Sequence, residues 1–165
     1  MSPPSPTVVL LVGPSGAGKT TVGRALAARL GWDFQDADAF HSPEAVRRMA
    51  RGRGLRDADR APWLGRLAAL VGERLAARRP TVLACSALRA AYRRQLVRPG
   101  VAVVWLDVPA AVLAARLAAR GGHFAGPELL PSQLATFEPP RDAVRVAATR
   151  PVAEVVETIT RALGG

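Results

Sequence analysis

The sequence predicts an α/β protein of 165 residues, built as one domain (residues 1–165) around a five-stranded parallel sheet with helices on both faces. Three observations favour this three-layer fold. Short apolar runs alternate with longer segments of helical periodicity, which is the pattern of βαβ units. The first apolar run leads directly into a glycine-rich turn and then a helix. The hydrophobic fraction of 49% is typical of a folded chain, and no apolar run reaches the ~18 residues that span a bilayer.

The predicted strands are short and apolar, as expected for parallel strands buried on both faces. They cover residues 7–12, 32–35, 81–85, 101–106 and 144–147, and the last has the weakest pattern. The first four each lead into a candidate functional group: the glycine-rich turn, the Asp36/Asp38 pair, Cys85-Ser86 and Asp107. Because ligands of open α/β sheets bind at the carboxyl ends of the strands, we expect these groups to meet at one edge.

Helical periodicity covers most of the chain between the strands. The predicted helices are 20–30, 43–51, 61–79, 87–97, 109–120, 132–137 and 151–163. Gly31 is a plausible end for the first helix, and Ser42 followed by Pro43 is a good start for the second. Asp59 is expected to cap the third. Residues 121–131 contain three glycines and two prolines, which predicts a mobile loop.

Arginine supplies nearly all of the positive charge in this chain. Lys19 is the only lysine among 23 basic residues, and the net charge is +10. The arginines are spread along the chain without a long basic run, and aromatic residues are few, so we expect no nucleic-acid partner. The single cysteine, Cys85, excludes an internal disulfide framework and is expected to be a buried strand residue. Without a membrane span or a signal peptide, the expected location is cytoplasmic.

The retained lysine lies in the pattern G-x-x-x-x-G-K-[ST], which is the phosphate-binding loop of nucleotide-binding proteins. The residues expected to contact ATP are Gly13, Pro14, Ser15, Gly16, Ala17, Gly18, Lys19, Thr20 and Thr21. Four of them, Gly16, Gly18, Lys19 and Thr20, are expected to point their backbone N–H groups into an anion-binding nest at a helix N-terminus. Lys19 should reach the β- and γ-phosphates, and the Thr20 hydroxyl is expected to bind Mg²⁺.

Asp36 and Asp38 follow the second predicted strand. On an extended strand end they would face the same side, with Ala37 facing the other. One carboxylate can then hold the Mg²⁺ shell while the other accepts the proton of an attacking hydroxyl group. The alternative is helix capping or loop solvation, which is common for aspartate.

Several further segments follow one another in a recognisable order and spacing. They read D-A-D-A-F-H at 36–41, R-M at 48–49, L-R-D-A-D-R-A-P-W-L at 55–64, C-S-A-L-R-A-A-Y-R at 85–93, R-L-A-A-R-G-G-H-F at 116–124, L-P-S-Q at 130–133 and E-P at 138–139. Together with the glycine-rich loop they resemble the bacterial gluconokinase family from about residue 8 to residue 140.

The resemblance implies transfer of phosphate from ATP to gluconate on a fold like that of nucleoside monophosphate kinases. It implies Asp38 as the base and Asp36 as support for Mg²⁺. It implies contacts to the sugar acid from His41, Arg60, Ser86 and His123, within an acceptor-binding segment of about 38–64. A guanidinium suits a carboxylate, although Arg60 can equally pair with Asp57 or Asp59. His123 would order the lid rather than do chemistry. The family also suggests a homodimer.

Arg116 and Arg120 lie four residues apart on one predicted helical face. Beside a glycine-rich loop they are expected to clamp phosphate charge as part of a lid at about 120–138, with Arg116 binding the nucleotide and Arg120 acting catalytically. A solvated helix edge is the alternative.

Departures from the family pattern cluster in the acceptor-binding segment: Ala37, Ser42, Ala45, Arg48 and Gly54 replace Gly, Pro, Asn, Lys and Pro. Phosphate transfer to a small hydroxy acid is therefore the broader expectation, with gluconate the narrower one. A shikimate-kinase-like enzyme is the nearest alternative, because Asp36-x-Asp38 is found there too, but Cys85-Ser86-Ala87-Leu88 stands where that family has three glycines. A P-loop switch or motor NTPase, or a regulator without turnover, is a further alternative. Only Asp107 offers a switch-type catalytic acid, and Lys19, Thr20 and Asp38 argue against lost catalysis.

Overall fold

Five parallel strands form one sheet in the order β2-β3-β1-β4-β5 in the computed structural model, which describes residues 5–53, 55–119 and 130–164. The strands are β1 (Val8–Val12), β2 (Asp33–Asp36), β3 (Thr81–Ala84), β4 (Val101–Asp107) and β5 (Val144–Ala147). The predicted α/β class and strand number are confirmed. The connection that leaves β1 runs to β2 at one edge of the sheet, whereas the connection that leaves β3 crosses to β4 on the other side of β1. These opposite directions open a crevice at the carboxyl ends of β1 and β3.

The described helices are α1 (Lys19–Leu30), α2 (Pro43–Ala50), α3 (Asp57–Ala76), α4 (Ala90–Leu96), α5 (Ala110–Ala119), α6 (Leu130–Thr136) and α7 (Val152–Ala162). A 3₁₀ turn, Ala37–Phe40, follows β2. None of the helices in the described part of the chain is long and apolar enough to cross a membrane.

The sheet separates two apolar clusters. Every residue of β1 is buried, and its alternate side chains enter opposite clusters: Val9 and Leu11 pack with α1, α5 and α7, whereas Leu10 and Val12 pack with α3 and α4. This is the expected three-layer arrangement. The extents of the domain, of the acceptor-binding segment and of the lid stay predictions.

Two helices begin three or four residues away from the start that the sequence pattern predicts. α3 starts at Asp57 rather than Ala61, because the Asp59 carboxylate reaches back to accept the Arg56 N–H at 2.8 Å from inside the first turn. Asp59 is therefore not the residue that precedes the helix. α4 starts at Ala90 rather than Ala87, because Ala87 has φ 36°, which is incompatible with a right-handed helix.

Candidate active site

The glycine-rich loop connects β1 to α1 and packs against α5. Gly16 and Gly18 have φ values of 90° and 93°, a region that favours glycine. A Cβ atom on Gly16 would lie 3.2 Å from both the Leu113 carbonyl oxygen and Leu117 Cγ. The loop therefore needs glycine here both for its backbone conformation and for its close approach to α5.

Two cations brace this loop. Lys19 Nζ donates to the Pro14 carbonyl oxygen at 3.0 Å, which folds the ammonium group over the loop. Arg116 donates from Nη1 to the Gly16 carbonyl oxygen at 3.0 Å and from Nη2 to the Ala148 carbonyl oxygen at 2.8 Å. Arg116 thus ties the loop to the chain that leaves β5, and its predicted contact with the nucleotide stays a prediction.

Oxygen donors suited to a magnesium ion meet at the end of β2. Thr20 Oγ1 donates to Asp36 Oδ2 at 2.9 Å, and Asp36 Oδ1 accepts the Asp38 N–H at 3.0 Å. The expectation that Asp36 and Asp38 share an extended strand end is wrong: Asp36 caps the 3₁₀ turn, and Asp38 lies inside it. A hydroxyl and a carboxylate oxygen fit Mg²⁺, which prefers oxygen ligands and keeps several waters. Among the described residues, no three His, Cys, Asp or Glu side chains converge as a metal cage.

A cavity of about 330 Å³ lies over the glycine-rich loop. Its walls are Ser15, Gly16, Gly18, Lys19, Thr20, Thr21, Asp36, Asp38 and Ala84. The structure thus brings the predicted phosphate-binding and metal-binding residues together with both aspartates, although the 3₁₀ turn rather than an extended strand orients them.

A second, narrower cavity of about 50 Å³ adjoins it. Its walls are Ser15, Lys19, Asp38, His41, Met49, Leu55, Arg60, Trp63, Ser86 and Gln133. The residues expected to bind a sugar acid therefore come together, apart from His123. Ser15, Lys19 and Asp38 line both cavities, so these three residues mark the boundary between them.

Arg60 is oriented by an aromatic and an acidic neighbour. Its Nη1 donates to the Tyr92 hydroxyl at 3.1 Å and lies 3.8 Å from Asp57 Oδ1. Tyr92 donates in turn to Asp57 Oδ1 at 2.6 Å, and this hydrogen bond lowers the pKa of Asp57. Asp59 is engaged by Arg56 instead. The guanidinium is thus held in place at the cavity wall and keeps N–H groups for an incoming anion.

His41 is a neutral residue of the cavity wall. Its ring stacks on Trp63, with ring centroids 4.3 Å apart and planes 12° apart. Burial and the nearby Arg60 and Arg66 lower its pKa to about 4. Its Nε2 lies 3.9 Å from Asp38 Oδ1, and its Nδ1 is buried with no hydrogen-bond partner among the described residues. The imidazole therefore offers hydrogen bonding rather than positive charge at neutral pH.

Some cavity residues were not identified as site residues from the sequence. Gln133 lies 118 positions from Ser15 yet contacts it, and Met49, Leu55 and Trp63 form an apolar wall. The only sequence signal for Gln133 was its place in L-P-S-Q, because helical periodicity does not say which element a helix packs against. Trp63 is 2% exposed, and its indole N–H donates to the Ala37 carbonyl oxygen.

Four other candidates have different outcomes. Cys85 is fully buried, and burial raises the pKa of its thiol to about 12, which fits the expected inert residue. Asp107 accepts from Arg145 Nε at 2.7 Å, so it is engaged away from both cavities. Arg120 and His123 lie outside the described residues, and their roles stay predictions.

Known proteins resemble this chain over nearly its whole length. A family model described as an AAA domain matches residues 8–140. A gluconokinase from Gluconobacter oxydans is 44% identical over 161 residues, which cover 94% of this chain and 90% of that protein. A gluconokinase structure from Sinorhizobium meliloti aligns with a TM-score of 0.83 and 42% identity, covering 96% of this chain and 92% of its own.

A sugar kinase structure from Janibacter aligns with a TM-score of 0.85 and 41% identity, covering 98% of this chain and 94% of its own. A shikimate kinase from Acinetobacter baumannii is more distant, with a TM-score of 0.60 and 26% identity over 96% of this chain and 93% of its own. All residues that line the two cavities lie within residues 8–140, the range that the family model matches. The chain belongs to the gluconokinase family.

Proposed function

We propose that this protein is a kinase that transfers the γ-phosphoryl group of ATP to a hydroxyl group of D-gluconate, giving 6-phosphogluconate. The observation that carries this function is the shared boundary between the two cavities. Lys19 and Asp38 line both the space over the phosphate-binding loop and the space that holds Arg60, His41 and Ser86. A phosphoryl group can therefore pass from one bound molecule to the other without crossing solvent.

The residues over the loop bind and orient the nucleotide. Backbone N–H groups at the start of α1 face the phosphates, and the Lys19 ammonium leaves the Pro14 carbonyl to contact them. Thr20 and Asp36 would hold Mg²⁺, which neutralises charge on the β- and γ-phosphates when bound. Arg116 holds the loop through Gly16, and we propose that Arg116 and Arg120 add positive charge near the transferring group.

The second cavity suits a polyhydroxy acid. The Arg60 guanidinium binds its carboxylate, with Tyr92 and Asp57 fixing the guanidinium. His41 and Ser86 bind hydroxyl groups, and the Met49, Leu55 and Trp63 side chains exclude water. Asp38 accepts the proton of the attacking hydroxyl group. His123, a homodimer and a cytoplasmic location are further predictions that follow from the resemblance.

Replacement of Asp38 tests this assignment. Without the carboxylate at the boundary, the attacking hydroxyl keeps its proton, so Asp38→Ala should lower kcat with gluconate ~10²–10⁴-fold. Lys19→Ala should lose ~10²–10³-fold, because charge on the transferring group is no longer stabilised. The measurement is coupled ADP release with gluconate, shikimate or a nucleoside monophosphate as acceptor. Asp142→Ala removes an exposed carboxylate outside both cavities and serves as the matched control.

Gluconate should stimulate wild-type turnover well above the other acceptors. Equal turnover without any acceptor, or a preference for shikimate, would contradict the proposed reaction. Full activity of Asp38→Ala would contradict the role of that carboxylate.

A further inference from the structure

The side chain of Gln133 and the residue Ser15 hold each other by two hydrogen bonds. The Ser15 backbone N–H donates to Gln133 Oε1 at 2.8 Å, and Gln133 Nε2 donates to Ser15 Oγ at 2.9 Å. Such a paired contact fixes both position and orientation, which a single hydrogen bond does not. Ser15 belongs to the phosphate-binding loop, so α6 is linked directly to that loop.

The pair lies where the two cavities meet. Ser15 lines both. Gln133 lines only the second, narrower cavity, which also contains Arg60 and which we call the acceptor cavity, and lies there beside Lys19, Asp38 and Ser86. A side-chain amide has two donor hydrogens and an acceptor oxygen with two lone pairs. Ser15 uses one donor and one lone pair, which leaves one of each for a ligand. A hydroxyl group both donates and accepts, so it matches these remaining groups.

Both ends of α6 are anchored, which makes Gln133 a rigid support. Leu130, at its start, is 6% exposed and packs in the cluster beneath α1 and α5. After its end, the Glu138 N–H donates to the Leu88 carbonyl oxygen at 2.7 Å, and Glu138 Oε1 accepts the Ala90 N–H at 3.1 Å. These bonds tie α6 to the chain that carries Ser86. The phosphate-binding loop, α6 and the chain after β3 thus form one connected wall of the acceptor cavity.

We propose that Gln133 is a positioning residue that couples the acceptor cavity to the phosphate-binding loop. It holds Ser15 with one half of its amide and binds a hydroxyl group of the sugar acid with the other. A bound acceptor thereby orders the loop on the side of the γ-phosphoryl group. The inference rests on the acceptor role proposed above for this cavity.

Replacement of Gln133 tests the coupling through separate kinetic constants. Gln133→Ala should lower kcat/KM for gluconate ~10–100-fold, since a misplacement of about 1 Å can cost ~100-fold. Its slow ATP hydrolysis without acceptor, and its affinity for a nonhydrolysable ATP analogue without gluconate, should fall by a clearly smaller factor, because only the contact with Ser15 is lost there. Gluconate should tighten binding of that analogue in the wild type and do so less in the variant. Gln95→Ala, an exposed glutamine on α4, is the matched control.

Two further variants separate coupling from loss of structure. Gln133→Glu keeps the length and can still accept the Ser15 N–H, but its charge repels an anionic acceptor, so KM for gluconate should rise most here. If the two residues act as a pair, Ser15→Ala combined with Gln133→Ala should be little worse than Gln133→Ala alone.

Specific outcomes would overturn the inference. These are unchanged kcat and KM in Gln133→Ala, an equal loss of acceptor-independent hydrolysis, or no effect of gluconate on nucleotide affinity in the wild type. Asp38→Ala in the same assay distinguishes failure of the proposed reaction from failure of the coupling. If the reaction is as proposed, that variant loses turnover with gluconate whether or not Gln133 couples the two cavities.

Discussion

At the scale of single residues, the neutral state of His41 is set by its surroundings. The ring is stacked on Trp63, and its side chain is 5% exposed. Burial lowers the pKa to about 4, with Arg60 and Arg66 acting in the same direction and Asp36 opposing them. The sequence indicated His41 as a site residue through its motif, but its charge state depends on contacts that only the fold provides.

The stability of the protein should therefore fall as the solution is acidified through a defined window. The unfolded chain binds a proton at His41 below about pH 6.5, whereas the folded chain does so only near pH 4. The stability that comes from this residue is complete above pH 6.5 and is lost between pH 6.5 and 4, by about 3 kcal/mol, since one pKa unit corresponds to about 1.4 kcal/mol. His41→Phe keeps a stacked ring and removes the titration. Urea unfolding at pH 7 and 4.5 should show a smaller loss for the variant.

Some carboxylates, such as Asp33, Asp57 and Asp59, also have lowered pKa values. They titrate in the wild type and in His41→Phe alike, so their contribution cancels in the difference between the two free energies of unfolding. An identical pH dependence of the free energy of unfolding in wild type and His41→Phe would contradict the buried, neutral imidazole.

At the scale of elements, helix boundaries depend on contacts that sequence patterns describe incompletely. The start of α2 at Pro43 was predicted correctly because Ser42 and Pro43 act locally, and Ser42 Oγ accepts the Ala45 N–H at 3.1 Å. The start of α4 was not, because Ala87, which is buried next to Ser86, adopts a positive φ. Such a conformation is imposed by packing and not by alanine's own preference.

Two helical glycines illustrate how packing decides the effect of the same substitution. A Cβ atom on Gly23 of α1 would lie 2.6 Å from Phe34 Cε1 on β2, so Gly23→Ala should destabilise the protein by about 1–3 kcal/mol. Beyond the adjoining backbone of α3 itself, no heavy atom of the described residues would lie within 4 Å of a Cβ atom on Gly65. Gly65→Ala should therefore stabilise by about 0.5–1 kcal/mol through helix propensity. Chemical denaturation of both variants measures this, and a shift of the same sign in both would contradict the packing of α1 on β2.

At the scale of the whole molecule, the charge of +10 is distributed and partly neutralised. Arg74 and Arg79 both contact Asp33, at 2.7 and 2.6 Å, and the Arg74 hydrogen bond lowers the pKa of that carboxyl. Arg29 pairs with Glu157 at 3.1 Å. An arginine-rich cavity of about 510 Å³ lies between α2 and the start of α3, apart from the phosphate-binding loop. Positive charge is thus present away from the site as well as within it.

Nucleic acid should consequently leave the enzyme's turnover unchanged. Net positive charge alone gives weak, salt-sensitive attachment, with dissociation constants of ~10⁻⁴–10⁻⁶ M at physiological salt. We expect ADP release at 150 mM salt (about the physiological ionic strength) to respond to gluconate and not to duplex DNA or RNA. Saturable stimulation by either nucleic acid at this salt concentration would contradict the kinase assignment and favour a nucleic-acid-dependent NTPase.

The sequence by itself determined the fold class, the strand order along the chain and the phosphate-binding loop. These features follow from local patterns, because strand, turn and helix preferences act over a few neighbouring residues. Lys19 was recognisable for this reason, as the one lysine within a glycine-rich turn.

Tertiary structure alone decided which distant residues share the acceptor cavity. Asp38, Arg60, Ser86 and Gln133 come from four parts of the chain and converge because β2, β3 and β1 lie side by side with α3 and α6 packed around them. It also decided that Arg116 braces the loop through Gly16 and that Gln133 holds Ser15. Contacts between residues a hundred or more positions apart depend on how the layers pack, and no periodicity in the sequence specifies that packing.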